Sequence, residues 1–81
     1  MTDKSILELS KFLDGNSFLS AKLTKLNLRH NRITAGSFPY IKNILNSCPN
    51  VKINIQCNRV NNEQVENEFQ NVIHRIKFGV Y

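Results

Sequence analysis

The residues able to do chemistry are few and poorly placed for catalysis. Asp3, Glu8 and Asp14 stand near the start, Glu63, Glu66 and Glu68 near the end, and no acid lies between Asp14 and Glu63. General acid–base work by paired carboxylates therefore has no source in the middle of the chain. Ser5, Ser10, Ser17, Ser20, Ser37 and Ser47 lack a nucleophile elbow and an obvious base–acid partner set. The sequence contains no Gly-rich phosphate loop and no HExxH. His30 and His74 have no carboxylate within a few residues and fit solvated or half-buried structural positions. Cys48 and Cys57 are too far apart for a CxxC pair, and zinc would need both cysteines and both histidines. Two free thiols in a reducing compartment are expected, with a disulfide as the alternative. The expectation is a chain without catalytic residues, metal or cofactor.

What remains is cationic. Lys22, Lys25, Arg29, Arg32, Lys42, Lys52 and Arg59 all fall inside the acid-free stretch, in a chain of net charge +5. Such a surface favours acidic partners. The elements that must position these cations follow from a repeat. Leu23-Thr-Lys-Leu26-Asn-Leu28-Arg-His-Asn31-Arg-Ile33 recurs 27 residues later as Asn50-Val-Lys-Ile53-Asn-Ile55-Gln-Cys-Asn58-Arg-Val60. The apolar positions correspond, and so do Lys25 and Lys52, Asn27 and Asn54, Asn31 and Asn58, Arg32 and Arg59. A weaker third copy, Ile73-His-Arg-Ile76-Lys-Phe78-Gly-Val-Tyr81, keeps the apolar spacing but has Tyr81 where the Asn should stand. Continuation of a helix through Arg75 to Lys77 is the alternative for that segment.

Alternation in LNL and INI predicts strands with one buried face. The residues between point outward and stack into columns: Lys25, Lys52 and Arg75 in one, Asn27, Asn54 and Lys77 in the next, with Arg29, Gln56 and Gly79 beyond. The repeated Asn31 and Asn58 can hydrogen-bond neighbouring backbone, and stacked copies could form a ladder. Phe38, Ile41, Ile44, Leu45 and Cys48 fall at helical spacing, with Pro39 in the first turn. So do Val65, Phe69, Val72 and Ile73, behind Glu63, Glu66 and Glu68, whose charge suits a helix start. Ile6, Leu9 and Leu13, with Phe12, make a first helix closed by Asp14-Gly15. Phe12, Phe38, Tyr40 and Phe69 are all expected in the core. The first helix matches the second at an offset of 35, not 27; the eight extra residues lie within 14–22 and include Phe18 and Leu19. A packed capping loop accounts for them, or a protrusion for a partner.

The repeated L-x-x-L-x-L-x-x-N resembles leucine-rich repeats, and the 27-residue period is similar to the ribonuclease-inhibitor-like class. Cys48-Pro49-Asn50-Val51 resembles the CPxL start of its cysteine-containing repeats. The resemblance covers roughly residues 23–81. It implies an α/β fold: a right-handed αβαβαβ array with a small parallel sheet (strands near 23–28, 51–56 and 75–80), helices on the convex side, and 1–22 as capping helix and loop. It also implies recognition through the sheet.

At 81 residues the chain is expected to form one domain, 1–81, with a thin margin of stability. No apolar run approaches the roughly 18 residues of a membrane span. Met1–Phe12 has no apolar core of a signal peptide, so a cytoplasmic protein with no membrane partner is expected. The leading function is a non-catalytic protein-interaction module meeting an acidic partner through Lys25, Asn27, Arg29, Lys52, Asn54, Gln56, Arg75 and Lys77. One alternative is nucleic-acid binding through the basic stretch 15–62, although no aromatic is interleaved with the basic strand positions. Another is self-association, as a homo-oligomer or larger assembly, through the C-terminal edge strand IKFGVY.

Overall fold

A computed structural model describes residues 2–79. Helix α1 (Asp3–Asp14) is followed by a short α2 (Ser17–Lys22), strand β1 (Lys25–Asn27), a 3-10 turn (Ala35–Ser37) and α3 (Phe38–Ser47). Strand β2 (Lys52–Asn54), α4 (Asn62–Glu68), a 3-10 segment (Gln70–Arg75) and β3 (Ile76–Lys77) complete the order. The fold is mixed α/β. The three strands form one parallel sheet in the order β1-β2-β3.

The repeat sets the register. Lys25 pairs with Lys52, Leu26 with Ile53 and Asn27 with Asn54, an offset of 27 at every step. Ile53 pairs with Ile76 and Asn54 with Lys77. The ladder runs past the regular strands: Leu28 N–H donates to the Asn54 carbonyl (2.8 Å), His30 N–H to Gln56 (3.1 Å), Ile55 N–H to Lys77 (2.8 Å) and Cys57 N–H to Gly79 (2.9 Å). Ile53, Ile55, Leu28 and Ile76 point into the core, where α1 supplies Ile6 and Leu13 and α3 supplies Phe38, Ile41, Ile44 and Leu45. Each such side chain contributes about 1.5–3 kcal/mol over an exposed one. Phe38 and Phe69 meet edge-to-face at 5.1 Å, which ties α3 to the chain after α4.

The asparagines act as the sequence suggests. Asn58 Nδ2 donates to the carbonyls of Leu28 (2.7 Å), Ile55 (3.0 Å) and Gln56 (3.3 Å), while its Oδ1 accepts from Ile33 N–H (3.1 Å). Asn31 Nδ2 donates to Leu28 (3.1 Å) and Arg29 (3.0 Å). The residue before each Asn is left-handed, with φ of 55° at His30 and 59° at Cys57. For an L-residue this costs roughly 1–2 kcal/mol, and the backbone bonds made by both residues and the following Asn hold it in place. His30 and Cys57 are thus equivalent turn residues in the two copies.

Several expectations need correction. Residues 17–22 of the expected capping loop form a helix, because Asn16 Oδ1 accepts from Leu19 N–H (3.2 Å) and the Ser20 hydroxyl donates to the Leu13 carbonyl (2.6 Å). Phe12, expected in the core, is 56% exposed: it shares the 4–8–12 face of α1 with Lys4 and Glu8, off the buried Ile6–Leu13 stripe. The strands are shorter than 23–28, 51–56 and 75–80. Leu23 ends α2, and Arg75 still belongs to the 3-10 segment, which begins after α4 ends at Phe69. The expected third copy therefore contributes only Ile76–Lys77 as strand; Val80 and Tyr81 lie outside the described residues.

Helix α1 is held to α3 at both ends by carboxylates. Asp3 accepts from Thr34 N–H (2.9 Å), the Thr34 hydroxyl (2.6 Å) and the Ser37 hydroxyl. Asp14 accepts from the Ser47 hydroxyl and from Asn43 Nδ2 (2.6 Å), which also donates to Ser10. Burial raises the Asp3 pKa, but the bonds from Ser37 and Thr34 outweigh it and the net shift is downward. At Asp14 the bonds from Ser47 and Asn43 lower the pKa against a smaller desolvation effect. Both folded pKa values lie below 3.8. Their stabilisation is accordingly fully present above the unfolded value and lost as pH falls through the folded ones. The urea midpoint followed by circular dichroism should drop between pH 6 and pH 3, and Asp3→Asn/Asp14→Asn should flatten that dependence while lowering the midpoint at pH 6. An unchanged pH dependence in the double variant would refute the role of these two groups.

Candidate functional site: the exposed face of the sheet

The outward positions of the strands line a shallow concavity of about 570 Å³. Lys25, Asn27, Lys52, Asn54 and Lys77 all border it, as does His74. The register places Lys25 beside Lys52 and Asn27 beside Asn54 and Lys77. Neighbouring strands lie about 4.8 Å apart, and residues two apart along a strand about 6.7 Å. No Asp or Glu among the described residues borders this surface. Among the described residues the one ion pair is elsewhere, between Lys42 of α3 and Glu68 of α4 (2.5 Å). At such exposure it contributes about 0–1 kcal/mol. Lys25, Lys52 and Lys77 therefore have no ion-pair partner among the described residues. Two ammonium groups at 4 Å in water repel by only about 1 kcal/mol, and flexible stems let them splay further, so the fold tolerates the arrangement.

The two asparagines are oriented locally. Asn27 Oδ1 accepts from Arg29 N–H (3.1 Å), and Asn54 Oδ1 accepts from Gln56 N–H (2.9 Å). Both are Asx turns, in which a side chain satisfies a backbone donor two residues on. Arg29 is exposed at the end of β1.

Two residues expected on this face do something else. Gln56 is only 1% exposed, and its Nε2 has no hydrogen-bond partner. It is part of the packed turn, where its carbonyl accepts from His30 and Asn58. Arg75 follows the Lys25–Lys52 column in sequence spacing and borders the concavity, but its guanidinium is engaged. Nε donates to the Val51 carbonyl (3.1 Å), Nη1 to Leu45 (3.2 Å) and Nη2 to Cys48 (2.6 Å). A cation on the last carbonyls of α3 compensates the helix dipole and satisfies groups that would otherwise be orphaned. Arg75 is a clamp on the helix end.

Sequence reasoning did not place His74 at the rim of the concavity, and it put Phe12 in the core; Phe18 (71%) and Leu19 (38%), which it assigned to a packed cap or a protrusion, are exposed on α2. Lys22 Nζ lies 4.4 Å from the Phe18 ring centre. The 4–8–12 helical face was the available signal for Phe12. For Phe18 and Leu19 the signal was the eight-residue departure from the repeat, while the helix that carries them is held by the tertiary Ser20–Leu13 bond. Cys48 is buried in the core, Cys57 is half-buried in its turn, and no disulfide joins them. Among the described residues no group of three or more His, Cys, Asp or Glu side chains could hold a metal ion. No described helix is long and apolar enough to cross a membrane.

Two substitutions separate these structural roles from recognition. Arg75→Ala should lower stability by about 2–3 kcal/mol in urea unfolding, because three carbonyls lose a charged donor. Lys25→Ala should stay within about 0.5 kcal/mol of the parent. Equal effects would mean that Arg75 is not a clamp. Gln56→Met keeps the volume and removes the unsatisfied amide, so its thermal midpoint should be unchanged or raised, by the equivalent of up to about 1 kcal/mol. A clear loss would show that the amide has a partner in solution.

Comparison with known proteins yields no matching family model, curated protein or solved structure.

Proposed function

We propose that the chain is a non-catalytic module of leucine-rich-repeat type that binds an acidic protein partner with the exposed face of its parallel sheet. The observation that carries this reading is the alignment of Lys25 with Lys52 and of Asn27 with Asn54 and Lys77 on one carboxylate-free concavity. The repeat reading is supported by the 27-residue register and by the hydrogen bonds of Asn31 and Asn58 to strand-end carbonyls. The contact set is Lys25, Asn27, Arg29, Lys52, Asn54 and Lys77. Gln56 drops out because it is buried, and Arg75 because its donors are committed.

A protein partner is favoured over a nucleic acid by the position of the exposed aromatics. Phe12 and Phe18 belong to α1 and α2, so among the described residues no strand position offers an exposed ring on which a base could stack. The test is fluorescence anisotropy with labelled hexaglutamate and a labelled single-stranded oligonucleotide at physiological salt. Lys25→Glu/Lys52→Glu should weaken peptide binding at least about tenfold, a loss of about 1.4 kcal/mol. Lys4→Glu/Lys11→Glu, which changes net charge equally on the exposed side of α1, should weaken it far less. Equal losses in the two variants would refute a role for the sheet face. Oligonucleotide binding tighter than peptide binding would transfer the reading to nucleic acid.

A further inference from the structure

The hydrogen-bonding polarity of the concavity narrows what it can accept. Asn27 and Asn54 each turn Oδ1 back onto their own strand, where the acceptor is used by the N–H of Arg29 and Gln56. A backbone N–H needs an oxygen opposite it, so these bonds fix which end of each carboxamide faces away. Among the described residues neither Nδ2 has a hydrogen-bond partner, and both side chains border the concavity. In register, the two amino groups come from adjacent strands, one step along from the ammonium groups of Lys25 and Lys52. The four side chains mark the corners of a quadrilateral about 4.8 Å by about 6.7 Å at the backbone. Every one of them presents a donor, and Lys77 extends the Asn row with another. A peptide carbonyl or a hydroxyl could use some of these donors, but only an anionic group with several acceptor lone pairs uses both the charge and the fixed amides.

We infer that Lys25, Asn27, Lys52 and Asn54 form a cradle for a single side-chain carboxylate, an Asp or Glu of an acidic peptide segment, with the two asparagine amides donating to its oxygens and the two lysines neutralising it. The inference rests on the reading of the sheet face as a protein-binding surface and adds a directional requirement to it. Charge alone would be satisfied by any basic patch. The cradle requires the asparagines to donate, so it discriminates carboxylate from carboxamide and depends on residues that carry no charge. The Asx turns supply preorganisation: each amide is already held by its own backbone, so little side-chain freedom is lost on binding.

The experiment compares Asn27→Asp/Asn54→Asp with Asn46→Asp/Asn71→Asp at physiological salt, using labelled hexaglutamate and labelled hexaglutamine. Aspartate keeps the acceptor for the Arg29 and Gln56 N–H groups and replaces the outward donor by an acceptor. The exposed Asn46 and Asn71 lie outside the sheet and provide the same change in net charge. The cradle variant should lose hexaglutamate binding at least about tenfold beyond the control, and hexaglutamine should bind neither. In the unsubstituted protein, the Asn27 and Asn54 side-chain amide protons should shift downfield on titration with hexaglutamate while those of Asn46 and Asn71 stay in place. That measurement decides the matter even if the double variant does not fold. Equal losses in the two Asp variants, or unmoved Asn27 and Asn54 amides, with Lys25→Glu/Lys52→Glu still abolishing binding, would overturn the cradle and leave the basic-face reading intact. Hexaglutamate binding that is absent, or indifferent to Lys25→Glu/Lys52→Glu, would overturn both.

Discussion

The side chain of Asn58 is the interaction on which the rest of the sheet depends. At the end of each strand the chain must turn sharply, and the backbone groups of that turn are too buried to be left to water. Asn58 meets three carbonyls and one N–H at once, from its own turn and from the segment after β1. It thereby fixes the spacing between two copies of the repeat as well as the shape of one. The left-handed residues before Asn31 and Asn58 are the conformational cost of the same turn, borne by a histidine in one copy and a cysteine in the other. Once this turn is set, the outward strand positions have no freedom of register: a slip of one residue would expose Ile53 and Ile55 and bury Lys52 and Asn54.

Function follows from the positions the core leaves over. A strand with one buried face has another that carries no packing duty, and a repeat copies that face from strand to strand. Here the copied residues are a lysine and an asparagine. The lysine column tolerates its self-repulsion because it is solvated, and the asparagine column is fastened by its own Asx turns. The helical side behaves differently. Several of its charges serve the fold, with Asp3 and Asp14 tying α1 to α3, Lys42 reaching Glu68 and Arg75 closing the end of α3. On the sheet face, by contrast, the Lys25 and Lys52 ammonium groups and the Asn27 and Asn54 amino groups have no partner among the described residues.

The chain also shows how little structure suffices to hold such a face. Regular pairing is limited to three residues in β1 and β2 and two in β3. The further hydrogen bonds from Leu28, His30, Ile55 and Cys57 lengthen the ladder without lengthening the strands. Short outer strands also present few unpaired backbone groups, which limits edge-to-edge association. Among the described residues the exposed large apolar side chains are Phe12, Phe18 and Leu19, on the helices that precede the sheet.

The sequence alone determined the periodic part of this protein. The 27-residue offset specified which residues of β1 and β2 pair, the LNL and INI alternation specified which face is buried, and the repeated Asn specified where backbone would need a side-chain partner. These are local or translational properties, and each leaves its own spacing in the chain. The tertiary structure decided the rest. Gln56 stands at an outward position by alternation, yet the turn closes over it; Arg75 occupies the third place in a basic column, yet the end of helix α3 and the segment leading into β2 offer it three carbonyls. Phe12 follows its helical face into solvent because α3 packs against the other side of α1. Helix α2 exists because Ser20 reaches the end of α1 and Asn16 caps it. In every such case the outcome depends on which distant group lies within hydrogen-bond or packing distance, and only the folded chain brings those groups together.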